Sequence, residues 1–282
     1  MKIFELGAPF VAPKWVSLPY ADAYGVAHGD RYVPFLEARV TRNSTRMVFH
    51  GLKFNRRLEA LSTGESRILY ALLFHPYVVD IRDQYPFYDR KVYQRTVSSG
   101  QRLRVADKTT VDVVVTYLLP GDAHLHYHCI SIKSERYEPT KQDSRREAKE
   151  LLLASSRGWT WELMRRDAVT AQHYINCAVL HSLVRYTNIH ALYDGAAQFA
   201  RVLLRSERGA TTDAVFSRIC KRLSLERHQA YRLFATAVAF GFVRLDNTRP
   251  FGAGKPLYLK GDAPEPPGII GPSKVISTPM WL

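Results

Sequence analysis

Cysteine is scarce. The chain holds three, Cys129, Cys177 and Cys220, far apart and odd in number. That usage excludes a disulfide framework, fits a reducing compartment, and offers no pair at zinc-ligand spacing. Long apolar runs are also missing: nothing is long enough to span a bilayer, and no apolar h-region follows Met1. The expectation is therefore a cytoplasmic protein with no membrane partner. Neither an internal repeat nor a low-complexity tract is found, so a solenoid is excluded. Acidic residues are in deficit, with 26 Asp plus Glu against 40 Lys plus Arg, a formal charge of +14. A surplus of that size calls for a polyanion. Nucleic acid is the usual one, because each neutralised phosphate releases a condensed counterion.

Hydrophobic residues make up 46% of the 282-residue chain, enough for two small domains or one large one. Residues 1–55 are rich in Pro, Gly and aromatics and read as an irregular extension with short strands. Over 56–167 the pattern becomes α/β. Ser62 caps a helix with Glu65 as its capping-box partner, and Ile68, Leu69, Leu72 and Leu73 follow at helical spacing until His75-Pro76. Strands are predicted over Val78–Tyr88, Thr109–Leu119, His124–Lys133 and Trp159–Met164, with the second and third hairpinned through Pro120-Gly121. A basic loop fills 89–108. A helix over Asp143–Ala154 offers Ala148, Leu151 and Leu152 to the core. This order predicts helices flanking a mixed sheet. Residues 168–264 read as helical, with Asp213–Leu223, a break at Ser224, a helix to Phe240 closed by Gly241, and a wing from Phe242–Leu245 and Leu257–Leu259. That is a winged-helix outline. Residues 265–282 form an extended tail ending Met280-Trp281-Leu282, whose apolar side chains suit a protein partner.

Four residues carry the chemistry. Asp112 interrupts the β-branched run Thr109–Val115, where a carboxylate is costly unless something pairs with it. Lys133 ends the neighbouring strand. Glu65 shares a helical face with Ile68, Leu69 and Leu72, and Glu150 lies in the helix that follows. Carboxylates with a lysine suit phosphodiester hydrolysis. One or two Mg2+ ions (or Mn2+) take hard oxygen ligands from Glu65, Asp112 and Glu150, with the Ile132 backbone carbonyl and Ser131 as further candidates. Lys133 offsets charge on phosphorus. Each also has a plainer reading: Glu65 as a helix cap, Asp112 as an arginine's partner, Lys133 as a solvated strand end, and Glu150 as a surface charge with Glu147 its competitor. His124, His126 and His128 share one strand face and read as a solvated edge rather than a metal site. Candidate DNA contacts are Arg82 and Gln84 along the first strand, Arg95, Arg102 and Arg104 in the basic loop, and Arg218, Arg222, Arg227 and Arg232 beside the wing.

The stretch Glu65–Pro86, with Val79-Asp80-Ile81-Arg82-Asp83-Gln84-Tyr85-Pro86 at its end, resembles the TnsA family signature of a helix-opening Glu followed by V-x-D-I-R-E-Q-x-P. Tyr32–Leu36 is similar to the family's Y-x-P-W-L element, Thr110–Val115 to its T-x-D-F-x-V strand, and Ser131-Ile132-Lys133 to its [E/Q]-V-K. The resemblance covers about residues 30–166 and is architectural beyond. It implies a restriction-endonuclease-like domain followed by a winged-helix-like one. It also implies nicking of the non-transferred strand at the 5′ ends of a mobile element, alongside a DDE transposase and an AAA+ ATPase regulator. On this resemblance Glu65, Asp112 and Lys133 inherit the catalytic roles, and Glu150 the helix-borne one. Ser131 departs from the family, since a serine supplies no anionic ligand, and Val111 replaces a common proline. In that role the chain acts on double-stranded DNA at the transposon ends and is nucleoid-associated when bound to it. Two other functions fit the residues: a stand-alone restriction or repair nuclease, and a non-catalytic winged-helix DNA-binding protein with a decayed nuclease domain.

Overall fold

The computed structural model describes residues 1–7, 9–36, 45–104, 108–207 and 209–261. An antiparallel hairpin, β1 (Met47–His50) and β2 (Arg57–Ala60), precedes helix α1 (Thr63–Leu73). Ser62 sits at the N-cap and accepts from the Glu65 amide. The main sheet has order β3 (Val78–Phe87), β4 (Thr109–Tyr117), β5 (His126–Lys133), β6 (Thr160–Arg165). The first two pairings are antiparallel and the third is parallel. A parallel pair needs a crossover, and α3 (Lys141–Ser155) supplies it. The chain is thus α/β, with helices flanking a mixed four-stranded sheet.

Each sheet face has its own core. Ile81, Val113, Val115 and Ile130 pack with Ile68, Leu69 and Leu72 of α1 and with α4 (Ala171–Val184). Tyr85, Phe87, Val111, Val114 and Cys129 pack with Ala154 and Trp159 on the other face. Strict alternation would put Ile81, Tyr85 and Phe87 on one face. It breaks at Gln84, whose φ of 50° is left-handed. Beyond that residue β3 presents the opposite set of side chains.

Helices α5 (Tyr193–Leu204), α6 (Thr212–Leu223) and α7 (Arg227–Phe240) complete the chain. Ser224, in the left-handed region with φ 52°, ends α6, and Gly241 at φ 83° ends α7. Only glycine fits at 241: a Cβ there would lie 2.1 Å from the Phe10 carbonyl oxygen. The predicted wing is reduced to one bridge, Leu245–Leu259, flanked by Asp246 N–H to Tyr258 O and Lys260 N–H to Arg244 O.

Two expectations are corrected. The 89–108 segment is not all loop, because Asp89 accepts from the Lys91 and Val92 amides and starts helix α2 (Arg90–Ser98). In α3, Ala148, Leu151 and Leu152 are exposed, and it is Glu150, Leu153 and Ala154 that turn to the sheet. A true start at Lys141 leaves the phase of the helix to packing, which the sequence window does not show. The boundary at 167/168 is crossed by one hydrophobic cluster running from Ile81 through α1 and α4 to Phe240. The N-terminal extension is part of that body: Ile3 is fully buried, and Ala12 N–H donates to Phe240 O. The tail, residues 265–282, lies outside the described residues. Among those described, no helix is long and apolar enough to cross a membrane.

Candidate active site

The β4–β5 ladder stops at Val113–Ile130. Past that rung, register would set Asp112 opposite Ser131. Instead the Ile132 N–H donates to Asp112 Oδ2 at 2.6 Å, so the side chain replaces a ladder bond where the strands part. A residue's N–H and C=O face the same antiparallel partner, so the Ile132 carbonyl is turned to the same gap. Asp112 is half-buried, and burial pushes its carboxyl up to about 6. The Glu150 carboxylate adds to the rise, while the Ile132 amide, Arg146 and Lys133 oppose it.

Glu65, in the first turn of α1, is held beside β3. Its Oε2 accepts from Leu61 N–H at 3.0 Å and from Gln84 Nε2 at 3.2 Å, and its Oε1 accepts from the Ser62 hydroxyl at 3.0 Å. The capping reading of Glu65 is therefore correct as far as it goes. Yet burial, and then the charge of Asp112, push its carboxyl up to about 7. Capping alone stabilises the ionised form. A raised value beside a second raised carboxyl marks a place where negative charge lacks compensation.

Lys133, two residues along β5 from Ser131, sets its ammonium 4.9 Å from the centroid of the Tyr137 ring. The Tyr137 hydroxyl donates to Glu147 Oε1 at 2.5 Å. Ser131 is buried, and its hydroxyl has no partner among the described residues. Glu150 departs from expectation. It is 1% exposed, with Oε1 on Arg146 Nε at 2.9 Å and Oε2 on Trp161 Nε1 at 3.3 Å. Its charge is answered by the Arg146 guanidinium in a buried pair, whereas Glu65 accepts only from neutral donors, and this argues against Glu150 as a metal ligand. Sequence reasoning missed Arg146, although four-residue spacing on a helix was the signal for the pair.

Magnesium asks for few protein ligands: it keeps several waters and is held by one or two carboxylates. Among the described residues no three His, Cys, Asp or Glu side chains form a ready cage. Glu65, Asp112 and the Ile132 carbonyl suit the smaller requirement. Two carboxyls raised by burial and by neighbouring carboxylates are what a divalent cation would relieve.

No family model matches the chain, and no curated protein matches it. What the site can do rests on its own residues.

The other candidates separate by exposure. Arg82 is fully buried and paired with Asp22 at 2.7 Å, over the rings of Tyr85, Tyr127 and Trp159. It cannot reach a phosphate, so its DNA-contact assignment is withdrawn. Gln84, also buried, supports Glu65 instead. Arg95, Arg102 and Arg104 are exposed beside α2. Arg218, Arg222, Arg227 and Arg232 are exposed on α6 and α7. Arg227, His228 and Arg232 line an open cleft of about 600 Å3 with Ser182 and Tyr231. The histidines do not converge: His128 is buried against Thr160 and Glu162, whereas His124 and His126 both bond Asp122.

Proposed function

We propose that the chain is a magnesium-dependent DNA endonuclease, the TnsA-type subunit of a cut-and-paste transposase that nicks the non-transferred strand at the 5′ ends of a mobile element. The observation that carries this reading is the placing of Asp112 at the opened end of the β4–β5 ladder, near enough to Glu65 for its charge to raise the Glu65 carboxyl. The β5–α3–β6 crossover and the helix-break-helix of α6 and α7, followed by the Leu245–Leu259 bridge, suit a restriction-endonuclease-like domain with a winged-helix-like companion. The net charge of +14 suits DNA.

Hydrolysis of a phosphodiester forms one bond from a water oxygen to phosphorus and breaks one bond from phosphorus to a sugar oxygen. Glu65, Asp112 and the Ile132 carbonyl would hold magnesium, which would supply an acidified water and charge compensation at the phosphate. Gln84 fixes the direction of the Glu65 carboxylate through Oε2, and Ile132 N–H fixes that of Asp112 through Oδ2. Lys133 Nζ, carried on the Tyr137 ring, donates to the attacking oxygen or the phosphate and stabilises the added negative charge. A DDE transposase and an AAA+ ATPase are the partners this role requires. The test is a nicking assay with the full chain, its genomically adjacent transposase and DNA carrying the element ends. Nicks at the 5′ ends in magnesium, lost in Asp112→Ala, are expected. Failure of the wild-type pair to nick in magnesium or manganese would overturn the reading.

A further inference from the structure

Glu150 is 1% exposed and Arg146, one helical turn earlier, is 46% exposed. A buried carboxylate is thus spent on holding a half-exposed guanidinium. Arg146 Nε donates to Glu150 Oε1 at 2.9 Å, and Nη2 donates to the Thr110 carbonyl at 3.3 Å. These two bonds fix the plane of the guanidinium against the first residues of β4. They leave Nη1 without a protein partner among the described residues. Asp112 is close enough to feel the charge, and Arg146 feels that of Asp112 in return. The same helix repeats the arrangement one turn over: Glu147 fastens Tyr137, which carries Lys133. Glu150 directly, and Glu147 through Tyr137, thus act on the two cations whose charge reaches Asp112.

A guanidinium already fixed at two positions loses little conformational freedom when an anion docks, and its planar fork fits two phosphate oxygens. Arg95 of α2 is exposed and has no such pair of side-chain bonds among the described residues. We propose that Arg146 is the phosphate contact of this site, binding a DNA backbone oxygen pair beside Asp112, and that Glu150 is its positioning residue and not a metal ligand. The inference rests on the nuclease reading only for the identity of the neighbouring site, because it concerns DNA affinity and can be measured without cleavage.

The test uses the full chain in two binding experiments. In the first, Mn2+ is titrated into DNA-free protein by calorimetry. Glu65→Gln and Asp112→Asn should weaken Mn2+ binding about tenfold or more, whereas Glu150→Gln and Arg146→Ala should stay within about twofold of wild type. In the second, anisotropy of a labelled 30-base-pair duplex is followed in Ca2+ across a salt series. Arg146→Ala should weaken binding about tenfold and reduce the slope of log affinity against log salt by about one. Arg146→Lys should recover part of the affinity, and Glu150→Gln should fall between wild type and Arg146→Ala. A drop in Mn2+ affinity for Glu150→Gln equal to that of Glu65→Gln would make Glu150 a ligand and overturn the assignment. So would wild-type DNA affinity and salt slope in soluble Arg146→Ala. If wild type binds DNA as expected but neither takes up Mn2+ nor nicks, the nuclease reading fails while the Arg146 contact stands.

Discussion

Gln84 donates from Nε2 to Glu65 Oε2 at 3.2 Å, and it reaches that oxygen from a left-handed backbone with φ of 50°. A regular strand would have turned it to the other sheet face. One unusual backbone angle thus links the inversion of β3 to the orientation of a candidate catalytic carboxylate. Strain of this kind persists where the surroundings over-determine it.

Residue 84 should accordingly be sensitive to backbone type as well as side-chain chemistry. Gln84→Val places a β-branched residue at positive φ and should lose about 1–3 kcal/mol in urea unfolding. Gln84→Gly should keep or gain stability yet lower nicking, because the bond to Glu65 is gone. Equal stability of the two variants would show that the strand relaxes freely at this position.

The pH dependence follows from the two raised carboxyls. In the metal-free chain the protonated forms are favoured by folding, so their contribution is full below about pH 4. It is lost as pH rises through about 6 for Asp112 and about 7 for Glu65. His28, His75 and His173, held below the usual imidazole range by burial, push stability the other way, so the melting temperature of wild type relative to Asp112→Asn should fall across that window without divalent ions. Magnesium should restore it at the upper end. Parallel melting curves for wild type and Asp112→Asn from about pH 5 to about pH 8 without metal would contradict the site's electrostatics.

Arg82 should prove structural. Asp22→Ala leaves its guanidinium buried and uncompensated, and a loss of about 3–5 kcal/mol is expected in chemical denaturation. Arg102→Ala, at an exposed position, should stay within about 0.5 kcal/mol of wild type. Weakened DNA binding by a fully folded Asp22→Ala, Arg82→Ala double variant would return Arg82 to the interface.

Metal identity should separate binding from cleavage. Calcium takes a larger and looser shell than magnesium, so it should support DNA binding with little nicking. Ser131→Glu adds an anionic oxygen one register position from Asp112 and should change the metal titration of nicking. An unchanged titration would place residue 131 outside the coordination shell.

Sequence alone determined most of the element order. The β-branched run at Thr109–Val115, the Ser62 cap, the Pro120-Gly121 turn and the Gly241 stop are local signals, each written in consecutive residues, and each element they predict is present. The positions of Glu65 and Asp112 were legible for the same reason: a carboxylate in an apolar strand or on an apolar helix face stands out against its neighbours. What those neighbours do across the fold was decided only by tertiary structure. Arg82 and Arg102 look alike as letters in the chain, but one is enclosed by Asp22 and the rings of Tyr127 and Trp159, brought in from distant segments, beside its own strand neighbour Tyr85. Leu151 and Leu152 look like core, yet the phase of α3 against the sheet points them outward and turns Glu150 inward. The left-handed Gln84 has no local signature, since glutamine does not favour that region. It is held there by contacts with Glu65 and Phe35, nineteen and forty-nine residues away in the chain.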